Sequence, residues 1–161
     1  MAVGVSNQPP DVEHLEPMLQ RIAANTGALP GVMTLDAGYW SEDNANCCAD
    51  QGIDAYIATG RLPHGQPPPP SRGPLPRNAD ARTRMARKIR SKKGARIYAR
   101  RKAIVEPVNG QIKESRGLRR FLLRGLERVT GEWHLIAATH NLLKLLRFRR
   151  SQQQALVAAT G

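Results

Sequence analysis

Aromatic residues make up only 4% of this chain of 161 residues, so any core has to be built from Leu, Ile, Val, Met and Ala. Cysteine is nearly absent. Its two copies, Cys47 and Cys48, are adjacent, which excludes a disulfide framework and fits a reducing compartment. No run approaches the roughly 18–20 uninterrupted apolar residues that a bilayer span requires. The first residues lack the basic and then apolar pattern of a secretory leader. Acids are missing where bases crowd: eleven bases and no acid stand between Arg82 and Lys102. These absences leave the expectation of a soluble basic protein with no membrane partner. The length allows one domain of ordinary size.

What is present is a lopsided charge. The chain carries a formal +12, but residues 1–60 hold eight acids against one base, Arg21, a net −7. The remainder holds 24 bases and five acids, a net +19. A basic run is either a solvated helix face or a surface that neutralises phosphates, with affinity that falls steeply with salt. Nucleic acid is the simplest partner for such an excess.

Leu15, Met18, Leu19 and Ile22 share a stripe that predicts a helix over 11–25, with Asp11 as a cap and Gly27 at the end. Val32-Met33-Thr34-Leu35 reads as a buried strand stopped by Asp36. Ser41 reads as the cap of a helix through Ala49, and 53–58 as a second strand. Strand, helix, strand with short loops is a βαβ unit and implies parallel strands. Six prolines between 67 and 76 make 61–80 an extended loop or linker. Asp80 then caps a long basic helix in the region 81–150. Further on, Lys102, Glu106, Asn109 and Lys113 share one helical face, with Pro107 either kinking the helix or marking a first turn. A last helix over about 125–148 has apolar residues around much of its circumference and is expected to be buried. The tail 151–161 is expected to be disordered. The fold class is therefore α/β and helix-rich, with 1–60 forming a partial α/β core.

Two acids stand out chemically. Asp36 lies where an apolar strand ends, the place where ligands gather in α/β sheets. It is either a metal ligand or an Asp that bonds its own turn. Glu106 is the only acid between Ala81 and Lys113. It either pairs with Lys102 or holds a divalent metal where phosphates arrive. His14, His64, His134 and His140 have no metal-type spacing, and Cys47 and Cys48 read as small core thiols. No Gly-rich phosphate loop and no zinc-finger spacing occur.

Leu35-Asp36-Ala37-Gly38-Tyr39-Trp40-Ser41 with Asn44 resembles the second-aspartate segment of DDE transposases from bacterial insertion sequences. The stretch from Tyr98 to Lys113 resembles their glutamate segment, with Lys113 seven positions after Glu106. Arg101 is one residue further from Glu106 than the family pattern has it, and Lys102 occupies the strictly spaced place. Leu-Arg-Gly-Leu at 123–126, Glu132-Trp133 and His140-Asn141-Leu142 resemble the end of the same proteins. The resemblance implies an RNase H-like fold, here incomplete, and Mg²⁺- or Mn²⁺-dependent cleavage and strand transfer of transposon-end DNA. It implies Asp36 and Glu106 as catalytic metal ligands, and Tyr98, Arg101, Lys102 and Lys113 as DNA contacts. It also implies a bacterial, cytoplasmic, nucleoid-associated protein.

The family's first aspartate has no counterpart before Asp36. Residues 1–6 resemble the end of the third strand of the family's β-meander. A C-terminal fragment that is inactive alone is therefore expected, with intact transposase or a second copy as possible protein partners. The alternatives are a basic module that modulates an intact transposase and an unrelated RNA-binding protein.

Overall fold

The computed structural model describes residues 3–7, 11–60 and 72–160. These fall into two compact units: Gln8–Val108, and Met1–Asn7 with Asn109–Gly161. The stretch 81–150, one region in the sequence reading, thus contributes to both. Most of the Pro-rich segment, 61–71, lies outside the described residues.

The first unit is built on the expected βαβ unit. Strand β1 (Val32–Leu35) pairs in parallel with β2 (Asp54–Ile57), with Leu35 opposite Ile57. Helix α1 (Leu15–Thr26) precedes them and α2 (Glu42–Asp50) connects them. Gly27 adopts φ 76°, a conformation open to glycine, and its N–H caps α1 through Ala23 O at 2.8 Å. Ser41 Oγ accepts from the Asn44 N–H at 3.0 Å and starts α2, as its position predicts. Leu15 and Leu19 from α1, Cys48 from α2, and Leu35, Ile53, Ala55 and Ile57 form the buried core. Full burial pushes the Cys48 thiol pKa up, and Cys47 beside it adds to the rise, so this sulfur is packing and not a thiolate.

Three local expectations change. Asp11 does not cap α1. Residues Asp11–His14 form a tighter 3₁₀ turn, and α1 starts after His14 without a side-chain cap. The long basic helix is two helices, α3 (Ala81–Arg90) and α4 (Lys92–Ile104). Asp80 caps the first as expected, accepting from the Thr83 N–H at 2.8 Å. Ser91 interrupts them: its hydroxyl donates to Lys88 O at 2.7 Å and accepts from the Gly94 N–H at 3.0 Å. A serine that can cap a new helix competes with continuing the old one. The third change lies beyond: α4 stops at Ile104 and α5 (Glu106–Gly110) begins after Val105, which keeps a helical backbone, so Lys102 and Glu106 stand on separate helices. Pro107 is the cause: its ring would clash with the carbonyl of Ala103 in a continuous helix, whereas the first turn tolerates it.

In the second unit, Gln111–Ser115 forms a π-helical turn and α6 (Leu126–Thr160) follows. Ile112, Ile136, Ala137 and His140 are buried. The Glu132 carboxylate accepts from the N–H groups of Leu122 and Leu123, and Phe121 meets Trp133 edge to face at 6.0 Å. The expected burial of this last helix is not found. Leu135, Leu142, Leu145, Leu146 and Phe148 are exposed, because the residues of this unit cover only one side of α6. The helix also runs on through 151–160, where a disordered tail was expected. Residues 3–6 form no strand; the sheet among the described residues has two strands, both in the other unit. The architecture is thus a helix-rich α/β with a small parallel sheet. No helix is long and apolar enough to cross a membrane among the described residues.

Candidate active site at the carboxyl end of β1

The site begins with the way β1 ends. Leu35 is buried, and its carbonyl accepts from the Ala58 N–H at 3.1 Å. The next residue, Asp36, is extended, and a 3₁₀ turn, Ala37–Tyr39, follows. Asn44 pins this turn: its amide donates to Tyr39 O and to Val12 O, both at 2.9 Å. Gly38 packs against Asp11, and a Cβ there would lie 2.5 Å from the Asp11 carboxylate. Burial raises the Tyr39 pKa first, and the Asp11 charge raises it further.

The Asp36 side chain makes no cap to its own turn. Instead it pairs with Arg101 of α4. Arg101 Nη1 also donates to Tyr98 Oη at 3.3 Å, and its guanidinium lies 5.4 Å from the Tyr98 ring centre. Tyr98 Oη in turn donates to Leu35 O at 3.4 Å. Burial raises the Tyr98 pKa, which keeps the phenol a donor. Asp36, Tyr98 and Arg101 therefore meet at one strand end. The ion pair is open to water, with side-chain exposures of 63% for Asp36 and 30% for Arg101. A pair of this kind contributes about 0–1 kcal/mol.

Helix α3 is anchored alongside. Lys88 Nζ is 2.7 Å from Asp54 Oδ1, donates to Ala55 O at 2.8 Å and lies 4.6 Å from the Tyr56 ring centre. Arg82 donates to Thr59 O, and Arg87 to the carbonyls of Arg72 and Gly73. So four of the eleven bases between 82 and 102 bind the chain itself. Arg84, Arg90, Lys92, Lys93, Arg96, Arg100 and Lys102 are exposed.

Glu106 is exposed at the start of α5 and makes no ion pair with Lys102 among the described residues. Lys113 belongs to the other unit, where it lines a cavity of about 180 Å³ with Asn109, Phe121 and Trp133. Residues 75–146 match the family model of the transposase DDE domain. The segment carries Tyr98, Arg101, Lys102, Glu106 and Lys113, so the resemblance read from these residues is borne out. Asp36 lies before the matched segment. No curated protein and no solved structure matches the chain.

A divalent cation of the kind such domains use takes oxygen ligands. Asp36 and Glu106 fit it by chemistry, since both are exposed carboxylates and neither is used as a helix cap. The donor set is short, because no group of three His, Cys, Asp or Glu gathers among the described residues. Asp36 is moreover already neutralised by Arg101.

Sequence reasoning missed the roles of Asn44 and Arg101 in building this end of the sheet, and of Lys88 at the start of β2. Asn44 lay in the quoted motif, yet nothing in the sequence says which carbonyls it holds. The Lys88–Asp54 pair joins residues 34 positions apart, and only the fold brings them together.

Proposed function

We propose that the chain acts on DNA as part of a transposase, with the end of β1 and the basic helices α3 and α4 as the face that meets the phosphodiester backbone. The observation that carries this reading is the convergence of Asp36, Tyr98 and Arg101 on one strand end, together with seven exposed bases on α3 and α4. Exposed Arg and Lys draw the duplex in by releasing its counterions. Tyr98 and Arg101 orient a phosphate near the strand end, while Lys102 and Lys113 contact further phosphates. Asp36 and Glu106 would hold the divalent ion, which when bound polarises the scissile phosphate and activates the attacking oxygen.

Electrophoretic mobility shift against salt tests the DNA reading. Affinity for duplex DNA should fall steeply with salt, and each of Arg96→Ala and Arg100→Ala should reduce the log–log slope by about one. No shift at low salt would end it. A second reading is a DNA-binding module that modulates an intact transposase. It is favoured by the pairing of Asp36 with Arg101, which neutralises that carboxylate. Nicking of supercoiled plasmid in Mn²⁺, lost in Asp36→Asn, would exclude that second reading.

A further inference from the structure

We infer that Arg101 is an exchangeable stopper on Asp36: DNA draws its guanidinium away, and metal binding at Asp36 is thereby coupled to DNA binding. The inference rests on the reading that Asp36 is a metal ligand and Arg101 a phosphate contact. The geometry leads to it directly. Arg101 Nη1 is shared between Asp36 Oδ1 and Tyr98 Oη. A guanidinium touching the carboxylate takes the charge and the oxygen that a divalent ion needs, and the two cations repel at that separation. Metal and Arg101 therefore compete for Asp36.

What could remove the stopper is also present. Arg101 is partly open to solvent and stands between Arg100 and Lys102, which are exposed. A phosphate presents a guanidinium with paired acceptors and matches its fork. Tyr98 makes the exchange local. Its hydroxyl is tied to Leu35 O on the strand and its ring lies under the guanidinium, so Arg101 can turn outward without leaving the strand end. A ligand that binds one arrangement better shifts the population toward it, and the coupling must be reciprocal. DNA should raise metal affinity by the same factor by which metal raises DNA affinity, roughly tenfold within the usual range of such couplings.

The test is a calorimetric titration of Mn²⁺ into the full chain, with and without a short duplex, for wild type, Arg101→Gln and Asp36→Asn. Circular dichroism checks that each variant is folded. Without DNA, Arg101→Gln should bind Mn²⁺ about tenfold tighter than wild type. With DNA, wild type should gain a similar factor and Arg101→Gln little. Asp36→Asn should lose binding in both conditions. If Asp36→Asn abolishes binding but Arg101→Gln leaves the affinity unchanged, the stopper is wrong while the metal reading stands. If Asp36→Asn binds Mn²⁺ as wild type does, or no variant binds it at all, the metal reading fails and the inference with it.

Discussion

Gly94 is the position where one added carbon should do most harm. It is buried at the corner between α3 and α4. A Cβ there would lie 1.9 Å from the Lys88 carbonyl oxygen, 2.9 Å from its carbon and 3.0 Å from Ile89 Cα. All three are backbone atoms, so no rotamer change relieves the clash. Carbon contacts need about 3.5–4.0 Å, so the corner must open by well over 1 Å. Opening it disturbs the Ser91 cap and the Lys88 anchor together. Overpacking costs about 1–3 kcal/mol and a lost cap about 1, while Gly→Ala in a helix returns up to about 1. The net for Gly94→Ala is roughly 2 kcal/mol of destabilisation. For a unit of this size that lowers the melting temperature by roughly 10 °C. Gly131 in α6 is the control, because a Cβ there meets nothing within 4 Å. Gly131→Ala should stabilise by roughly 0.5–1 kcal/mol through helix propensity. Urea and thermal melts followed by circular dichroism measure both. If Gly94→Ala is as stable as wild type, the break at Ser91 and the corner built on it are wrong.

Other perturbations have signs fixed by the same contacts. The hydrogen bond from Lys88 is the largest influence holding the Asp54 carboxyl below its usual range. Its stability contribution is therefore full above about pH 4 and is lost as pH falls through the lower folded value. Lys88→Met should flatten that acid limb and cost about 1 kcal/mol at neutral pH, since both partners are over a third exposed. His140 is only 3% exposed and both ring nitrogens lack a hydrogen-bond partner among the described residues. Burial lowers its pKa, helped by Lys144 and Arg116. The unfolded chain then takes up the proton first, so the unit holding α6 should lose stability as pH falls below about 6.5, and His140→Phe should remove that loss in urea melts. Asn44→Ala deletes two hydrogen bonds that fix the turn after Asp36 and should cost about 2 kcal/mol, read from the urea midpoint.

The parts of the fold legible in the sequence are those set by local chemistry. Ser41, Asp80 and Gly27 mark helix ends through capping and a left-handed turn, and each does so where expected. The apolar runs at 32–35 and 54–57 pair in parallel because the connection between them contains a helix. Asp36 at a strand end was readable for the same reason. What was not legible depends on competition or distance. Ser91 could sit inside one helix or cap the next, and only the close approach of Gly94 to Lys88 decides it. The apolar circumference of α6 speaks for burial, yet burial needs covering residues that this unit lacks. Arg101 read as a phosphate contact; its partner in the folded chain, Asp36, stands 65 positions earlier.

The central claim, that Asp36 and Glu106 serve one divalent-metal site, is tested most directly by iron-directed cleavage of the protein. Fe²⁺ bound in place of Mg²⁺, with ascorbate and peroxide, cuts the backbone beside its ligands. With duplex DNA present, cuts should map next to Asp36 and next to Glu106, and both should vanish in Asp36→Asn. Cuts at neither position, or cuts at Glu106 that survive Asp36→Asn, would contradict a shared site.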